Sequence, residues 1–298
     1  MSPKDLLLAL VVVLAWGVNF VVIKVGLHGV PPMLLGALRF LLAAFPAVLF
    51  VKRPKIPLKW LLAYGVTISF GQFVFLFYAM SVGMPAGLAS VVLQAQAFFT
   101  LGFAALFLHE RFHAPNVIGL LIAALGLALI GMQSTAGGGA QAMTLIGFAL
   151  TLCASAMWAL GNIAMKKVGR VDLVGLVVWA SLIPPVPFLV LSYFVEGPQR
   201  IAGALEGIGV QSVLAIVYLS FVATILGYSL WGRLLSRYPA SQVAPFSLLV
   251  PIIGLATASL TLGERLTVAE IGGAALVMGG LVVNVFGGWV RQRFVVAR

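Results

Sequence analysis

Charged residues are scarce in this sequence: only 8% of its 298 residues are Asp, Glu, Lys or Arg, while 62% are hydrophobic. Soluble domains carry about 25% charged residues, so a water-soluble fold is excluded. A membrane-spanning helix needs about 20 apolar residues, and ten of them would use about two-thirds of the chain. The sequence therefore predicts an all-α integral membrane protein, with the lipid bilayer as a partner and no soluble catalytic domain.

Cysteine and acidic residues are also few. The single Cys153 lies in an apolar stretch, which excludes a disulfide framework and a cysteine-based metal site. All seven acids are expected in loops or in the first turn of a helix, namely Asp5, Glu110, Asp172, Glu196, Glu206, Glu264 and Glu270. A relay of carboxylates inside the membrane is therefore not expected, and neither is a cofactor.

Charge-poor segments recur along the chain, and ten are predicted to be transmembrane helices. They are residues 6–25, 32–51, 60–80, 86–108, 116–132, 143–165, 173–194, 211–230, 241–262 and 268–287. With loops alternating between faces, fourteen basic residues share one face, whereas Lys24, Arg200 and Arg265 share the other. Because Lys and Arg collect in cytoplasmic loops, both termini are predicted to be cytoplasmic. The net charge of +11 then reflects topology, and no nucleic-acid partner is expected.

The two halves of the chain resemble each other. A shift of 154 residues aligns several identical stretches: Pro85-Ala86 with Pro239-Ala240, Glu110-Arg111 with Glu264-Arg265, and Gly119 and Gly126 with Gly273 and Gly280. A shift of 143 residues aligns Asn19 with Asn162 and Lys24 with Lys167. The chain is therefore predicted to consist of two repeats of five helices each.

The Gly-rich segment 136–142 separates the predicted repeats, which are residues 1–135 and 143–298. Because five is an odd number, the second repeat would enter the membrane from the opposite side. Inverted repeats are typical of alternating-access transporters, whose substrate site lies near the membrane midplane. A central cavity between two inverted repeats is therefore expected.

Polar and aromatic side chains inside the predicted helices are candidates for substrate binding, because polar groups are costly in hydrocarbon unless they face a cavity or a partner. The candidates are Trp16, Asn19, Arg39, Gln72, Tyr78, Gln94, Gln96, Trp158, Trp179 and Tyr228. Arg39 is the only full charge deep within a span, which favours a cavity for the carboxylate of a zwitterion. Hydrogen bonding between helices is the alternative for the amides, and an interfacial belt is the alternative for aromatics near helix ends.

Prolines and small residues indicate which helices bend and which pack closely. Kinks are predicted at six prolines within helices, namely Pro46, Pro184, Pro185, Pro187, Pro245 and Pro251. A face of small residues on the fifth and tenth helices predicts close backbone approach in a scaffold pair. It consists of Gly119, Ala123, Gly126, Gly273 and Gly280.

One motif is typical of zinc proteases: His109-Glu110-Arg111-Phe112-His113 fits H-E-x-x-H, in which two histidines one helical turn apart bind the metal. A catalytic zinc site also needs a third protein ligand, but the other histidine, His28, is predicted at the opposite face. The equivalent stretch 263–267 keeps Glu-Arg and has no histidine. We interpret the motif as a chance match, and expect neither a bound metal nor enzyme activity.

The pairs Glu110-Arg111 and Glu264-Arg265 allow two interpretations. Each glutamate precedes a new helix by a few residues, where a carboxylate stabilises the positive end of the helix dipole. In the alternative interpretation, the charged residues form gating ion pairs in turn at the two faces.

Several stretches together resemble a known family: Trp16-Gly17-x-Asn19 leading to Lys24, the run 84–90, Gln94-Ala95-Gln96, Ala244-Pro245 to Val250-Pro251, and Glu264-Arg265-Leu266. Essentially the whole chain resembles the EamA-type branch of the drug/metabolite transporter superfamily. It looks closest to bacterial exporters of cysteine, O-acetylserine and related amino-acid metabolites. The resemblance implies an efflux protein of the bacterial inner membrane, with a small-molecule substrate and a central cavity.

Three functions are therefore weighed: an exporter of amino acids, a passive channel for small solutes, and a membrane metalloprotease. The inverted halves and the prolines within helices favour the exporter over the channel, because kinked helices around a cavity can rock. The metalloprotease rests only on His109 and His113.

Overall fold

The computed structural model describes residues 1–136, 143–169 and 171–296. Within these ranges ten helices are long and apolar enough to cross a membrane: α1 (Pro3–Gly29), α2 (Pro32–Leu49), α3 (Leu58–Ser81), α4 (Ala86–Leu108), α5 (Ala114–Gln133), α6 (Leu145–Val168), α7 (Leu173–Glu196), α8 (Val210–Arg237), α9 (Gln242–Leu262) and α10 (Val268–Gly287). The predicted all-α membrane fold with ten spans is confirmed. The predicted linker lies outside the described residues, apart from Ala136. The helix that begins at Ala114 continues beyond the membrane-spanning part of α5 and ends at this residue.

Local sequence explains where helices begin. The Ser2 hydroxyl caps α1 by accepting a hydrogen bond from the Asp5 amide at 3.2 Å. α10 begins with a capping box, in which the Thr267 amide donates to Glu270 Oε2 at 2.7 Å and the Glu270 amide donates to Thr267 Oγ1 at 3.2 Å. These caps satisfy amides that the first turn of a helix leaves without an internal partner.

Several helices are irregular in the middle of the membrane. α3 and α8 contain π-helical segments, Gly65–Gly71 and Tyr218–Leu226, which were not predicted from the sequence. α4 includes a 3₁₀ turn at Leu93–Ala95. Such departures from the α-helix are frequent at functional sites, and they mark the depth at which a site is to be sought.

Prolines accompany three further interruptions. α2 is α-helical only as far as Ala44, and a 3₁₀ turn follows Pro46. α7 is interrupted after Ala180 and resumes at Pro185. At the start of α9, Pro245 lies inside the helical segment Ala240–Ser247, and a new helical segment begins at Leu249. Because proline lacks an amide hydrogen and clashes with the preceding turn, each break has a local cause.

The two halves of the chain interleave. α1 packs against α8 and α9, and α6 packs against α3 and α4, so each half contributes its first helix to the other. α2 packs against α3, α7 and α8. This exchange surrounds the centre of the molecule with helices from both halves.

α5 and α10 form a close pair. A β-carbon added to Gly126 would lie 2.5 Å from the carbonyl oxygen of Gly273, and one added to Gly119 would lie 2.6 Å from that of Gly280. The two backbones therefore touch directly, as small residues permit. The Asn116 side chain reinforces the pair by donating to Asn284 Oδ1 at 2.7 Å.

The helices alternate in direction, and contacts between loops identify their two ends. Arg237 at the end of α8 meets Asp5 at the start of α1 at 3.4 Å, and Lys166 at the end of α6 meets Glu110 after α4 at 2.7 Å. We call this end the basic face, because Lys4 and Lys52 lie there as well. The other end of the helices is called the opposite face.

Candidate functional site

A cavity of about 400 Å³ lies between the helices. Residues of α1 to α4 and α6 to α9 line it, and no described residue of α5 or α10 does. Eight of the predicted site residues line the cavity: Trp16, Asn19, Arg39, Gln72, Gln94, Gln96, Trp158 and Tyr228. The structure therefore brings together most of the polar and aromatic residues that stand out within the apolar segments.

Two predicted site residues do not line the cavity. Tyr78 is 38% exposed on α3, and Trp179 donates from Nε1 to the backbone oxygen of Val51 at 2.9 Å. Both are aromatic residues on helices that are mostly apolar, where an aromatic side chain fits the inward face and the outward face alike.

Arg39 lies on α2 and is only 2% exposed. Its Nη2 donates to Thr224 Oγ1 at 3.1 Å, and its guanidinium carbon lies 4.1 Å from the centre of the Phe73 ring. Nε and Nη1 have no hydrogen-bond partner in the structure. No Asp or Glu lines the cavity among the described residues, so the guanidinium offers both charge and free donors there.

The π-helical segment of α8 holds Arg39 in place. Thr224 Oγ1 donates to the carbonyl oxygen of Leu219, five residues earlier, at 2.8 Å. In a regular α-helix, a threonine hydroxyl bonds to the carbonyl four residues earlier. Ser220, in the same segment, donates to the backbone oxygen of Arg39 at 2.9 Å. The irregular segment therefore carries two hydroxyl groups that contact Arg39.

The amides in the cavity fall into two groups. Gln96 Oε1 accepts from Asn162 Nδ2 at 3.0 Å, and Asn162 also contacts Thr100 Oγ1 at 3.1 Å. These hydrogen bonds join α4 to α6. They correspond to the alternative interpretation of the amides, in which they form hydrogen bonds between helices. Asn19 and Gln72 are different: they are 8% and 4% exposed, and neither Asn19 Oδ1 nor Gln72 Oε1 has a hydrogen-bond partner among the described residues.

Aromatic rings form the wall beside Asn19. The ring centres of Trp16 and Tyr228 lie 5.2 Å apart, and those of Trp16 and Trp231 lie 5.3 Å apart. Trp16 Nε1 donates to the carbonyl oxygen of Ala223 at 3.0 Å, which fixes the indole against α8. The cavity thus presents apolar faces beside unpartnered polar groups, as small-molecule sites commonly do.

Phe73, Thr224 and Asn162 also take part in the site, although the sequence did not indicate them as site residues. Asn162 had a signal, since a shift of 143 residues aligns it with Asn19. Phe73 and Thr224 had none: a phenylalanine in an apolar helix and a hydroxyl that bonds to its own helix are both ordinary in a span.

The cavity extends to the basic face. Its lining includes Met165 near the end of α6, Leu173 at the start of α7, and Leu235 near the end of α8. Towards the opposite face, Met80 and Met84 are 0% exposed. The described lining therefore reaches the basic face and ends, at Phe20, Leu76 and Ser90, before the opposite face.

Glu264, which follows the end of α9, helps to close the opposite face. Glu264 Oε1 accepts from the Ala86 amide at 2.7 Å, and Oε2 accepts from the Gly87 amide at 2.9 Å. This differs from the expectation that Glu264 stabilises the helix that follows it. α10 has its own capping box, and it is the start of α4 that leaves amides for Glu264.

Two further contacts close the same face. Glu196 at the end of α7 accepts from the amides of Met33 and Leu34 at 2.6 and 3.2 Å, so a second helix start is capped by a carboxylate from another helix. Lys24 donates to the backbone oxygen of Met80 at 2.8 Å.

At the basic face, the corresponding residues make no such closure. Glu110 is half-exposed and pairs with Lys166 Nζ at 2.7 Å. Arg111 beside it is exposed, as is Arg265 at the opposite face, and neither forms an ion pair with a described residue. The two Glu-Arg pairs therefore occupy different environments at the two faces.

The zinc-protease motif does not adopt the geometry that such a site needs. His109 has φ of 56° and ends α4 in the left-handed conformation, and the next helix begins at Ala114. His109 and His113 therefore do not lie one turn apart on a helix. Among the described residues, no group of three His, Cys, Asp or Glu side chains could hold a metal ion.

Comparisons with known proteins agree with this architecture. The family model described as "EamA-like transporter family" matches residues 4–132 and 145–286. Two proteins named "Probable amino-acid metabolite efflux pump" are similar over nearly their whole length. The one from Salmonella typhimurium is 53% identical, covering 98% of each chain, and the one from Escherichia coli is 52% identical, covering 96% of each.

A solved crystal structure aligns with a TM-score of 0.64 over 95% of this chain and 97% of its own, at 19% identity. That likeness concerns the fold alone. The two family matches together cover most of the sequence, including every helix that lines the cavity. The chain therefore belongs to the EamA-like transporter family and is a multi-pass membrane transporter.

Proposed function

We propose that this transporter exports amino acids and related small metabolites, of the cysteine or O-acetylserine kind, across the bacterial inner membrane. The observation that carries the proposal is Arg39, which presents a buried positive charge and two unpartnered donors to a closed-ended cavity. A substrate carboxylate would satisfy both. The names of the two relatives that are 53% and 52% identical support the same substrate class.

The size of the cavity fits a metabolite. Small-molecule sites have volumes of about 300–1,000 Å³, and this cavity of about 400 Å³ lies at the small end. With the termini in the cytoplasm, as the distribution of Lys and Arg favours, the basic face is cytoplasmic. The cavity then opens to the compartment from which an exporter takes its substrate.

Alternating access requires a second state, in which the basic face closes and the opposite face opens. Glu110 aligns with Glu264 in the repeat, and Pro239-Ala240 aligns with Pro85-Ala86. By this correspondence, Glu110 leaves Lys166 in the second state and caps the start of α9. Glu264 would then release the start of α4. Such an exchange of roles between Glu110 and Glu264 is what two inverted repeats of five helices would undergo.

Counterflow in proteoliposomes tests the proposed function against a passive channel. Vesicles loaded with unlabelled cysteine under reducing conditions should accumulate labelled cysteine transiently above equilibrium, and uptake should saturate. These results require a site that is open to one side at a time. Linear uptake without any overshoot would identify a channel and contradict the proposal.

A further inference from the structure

Four unpartnered atoms in the cavity divide by chemistry into two donors and two acceptors. The donors are Arg39 Nε and Nη1, and the acceptors are Asn19 Oδ1 and Gln72 Oε1. All three side chains are more than nine-tenths buried and line the same cavity. A buried polar atom without a partner is costly, so a ligand that supplies the complementary groups is expected.

Contacts in the structure link the three side chains. Arg39 lies against the ring of Phe73, whose neighbour in the chain is Gln72. Thr224, which binds Arg39, follows Ala223, whose carbonyl oxygen holds Trp16. Asn19 lies three residues after Trp16, on the same face of α1. The carbonyl oxygens of Asn19 and Gln72 and the guanidinium of Arg39 thus belong to one cavity.

We propose that Asn19 Oδ1 and Gln72 Oε1 accept hydrogen bonds from the α-ammonium group of the substrate, so that the site requires a free amine beside the carboxylate. The inference rests on the proposed export function and deepens it. The described lining contains no Asp or Glu, so neutral carbonyl oxygens recognise the ammonium group. The aromatic rings of Trp16, Tyr228 and Trp231, which line the same cavity, add attraction for a cation.

Neutral acceptors favour a zwitterion over a simple cation. A carboxylate on the protein would attract any amine, including one without a carboxyl group, whereas Arg39 repels a lone cation. Carbonyl oxygens hold an ammonium group only when the adjacent carboxylate has already been placed on Arg39. The site therefore discriminates by the presence of both groups together.

Competition against labelled L-cysteine in proteoliposomes tests this inference with two smaller analogues. 3-Mercaptopropionate lacks only the amine, and cysteamine lacks only the carboxylate, so neither is excluded by size. Each missing group leaves buried partners unpaired, and we expect both analogues to inhibit at least about ten-fold more weakly than unlabelled cysteine. Equal inhibition by 3-mercaptopropionate and cysteine in the unmodified protein would overturn the inference.

Near-isosteric variants assign the effect to the two amides. Asn19→Leu and Gln72→Met should each weaken cysteine binding by about ten-fold, while inhibition by 3-mercaptopropionate changes less than two-fold. Gln211→Met, at an exposed position outside the cavity, is the matched control and should alter neither. A parallel loss for both ligands would mean that the amides only tie helices together, and would overturn the assignment.

A gain-of-function variant gives a second readout. Asn19→Asp adds the carboxylate that the cavity lacks, so cysteamine should become a better inhibitor by about ten-fold. No gain for cysteamine in a variant that still transports cysteine would contradict the position of Asn19 at the amine. If the unmodified protein transports no amino acid at all, the proposed function is wrong. If it transports cysteine but does not discriminate cysteine from the two analogues, only this inference is wrong.

Discussion

Arg39 is the residue at which carboxylate binding can be tested most directly. Arg39→Gln removes the charge, and we expect the affinity for a zwitterionic amino acid to fall by about one to two powers of ten, since a charge-assisted bond contributes roughly 1.5–3 kcal/mol. Arg39→Lys keeps the charge but loses the planar set of donors, and should be intermediate. The apparent KM for transport, normalised to reconstituted protein, measures both effects.

An uncharged analogue of the same size is the control for Arg39. Carboxylate binding predicts that Arg39→Gln spares transport of this analogue. If Arg39 serves only to join α2 to α8 through Thr224, both substrates should lose equally and the protein level should drop. Parallel loss would therefore refute the binding role.

The sequence predicted those residues of the site that are chemically conspicuous. A charge or an amide in an apolar helix has few structural uses, so Arg39, Asn19 and Gln72 were identifiable from the sequence. Thr224 was not, because a hydroxyl in a span usually bonds to its own helix. Tyr78 and Trp179 were expected in the cavity and lie outside its lining, because an aromatic side chain on a mostly apolar helix can face inward or outward.

At the scale of whole helices, Glu264 connects the end of α9 to the start of α4. Glu264→Gln keeps one acceptor but loses the charge, so the opposite face should open more often, by about ten-fold for a loss of 1.4 kcal/mol. The measurement is the rate at which an impermeant thiol reagent, added at the opposite face, labels Leu93→Cys in the cavity. Cys153→Ser provides the background, because Cys153 is exposed.

Glu270→Gln is the matched control for Glu264. Glu270 is also a capping carboxylate at the opposite face, but it caps its own helix. Its loss should lower stability without changing access to Leu93→Cys. Equal labelling in the two variants would mean that Glu264 is not part of the closure.

The pair of α5 and α10 offers a test in which two adjacent glycines should respond in opposite ways. Gly273→Ala would bring a β-carbon within 2.7 Å of the Gly126 carbonyl oxygen. A β-carbon added to Gly272 would have no atom within 4 Å apart from the backbone of its own helix. We expect Gly273→Ala to destabilise by about 1–3 kcal/mol, and Gly272→Ala to be neutral or stabilising by up to about 1 kcal/mol. Thermal unfolding in detergent measures both; similar midpoints would contradict the close packing.

Helix positions were predicted well, because an apolar run of about 20 residues has few alternatives. The predicted range 86–108 coincides with α4, and 268–287 coincides with α10. The π-helical segments Gly65–Gly71 and Tyr218–Leu226 were missed. They depend on contacts with neighbouring helices, such as those of Ser220 and Thr224 with Arg39, which the local sequence does not contain.

For the whole molecule, the direction of insertion is the prediction that remains to be tested. In the Cys153→Ser background, Lys55→Cys should be labelled only from the cytoplasm, and Gly138→Cys only from outside. Three helices separate the two positions, so they lie on opposite sides in the predicted topology. Labelling of both from one side would remove the basis for inverted repeats.

Arg39 is the one charged side chain in the described lining of the cavity, and we expect it to couple the transporter to the membrane potential. In the proposed orientation the cavity opens to the electrically negative cytoplasm, so the guanidinium would lie at the more favourable potential. Opening to the outside would move it through part of the field. A full crossing costs about 2.3 kcal/mol per 100 mV. We therefore expect an inside-negative potential, imposed with potassium and valinomycin, to slow labelling of Leu93→Cys from the opposite face, and Arg39→Gln to abolish that dependence. In an energised cell, the membrane potential would thus favour the state in which the empty exporter opens to the cytoplasm, where its substrate is. No bound coupling ion would be needed for this preference.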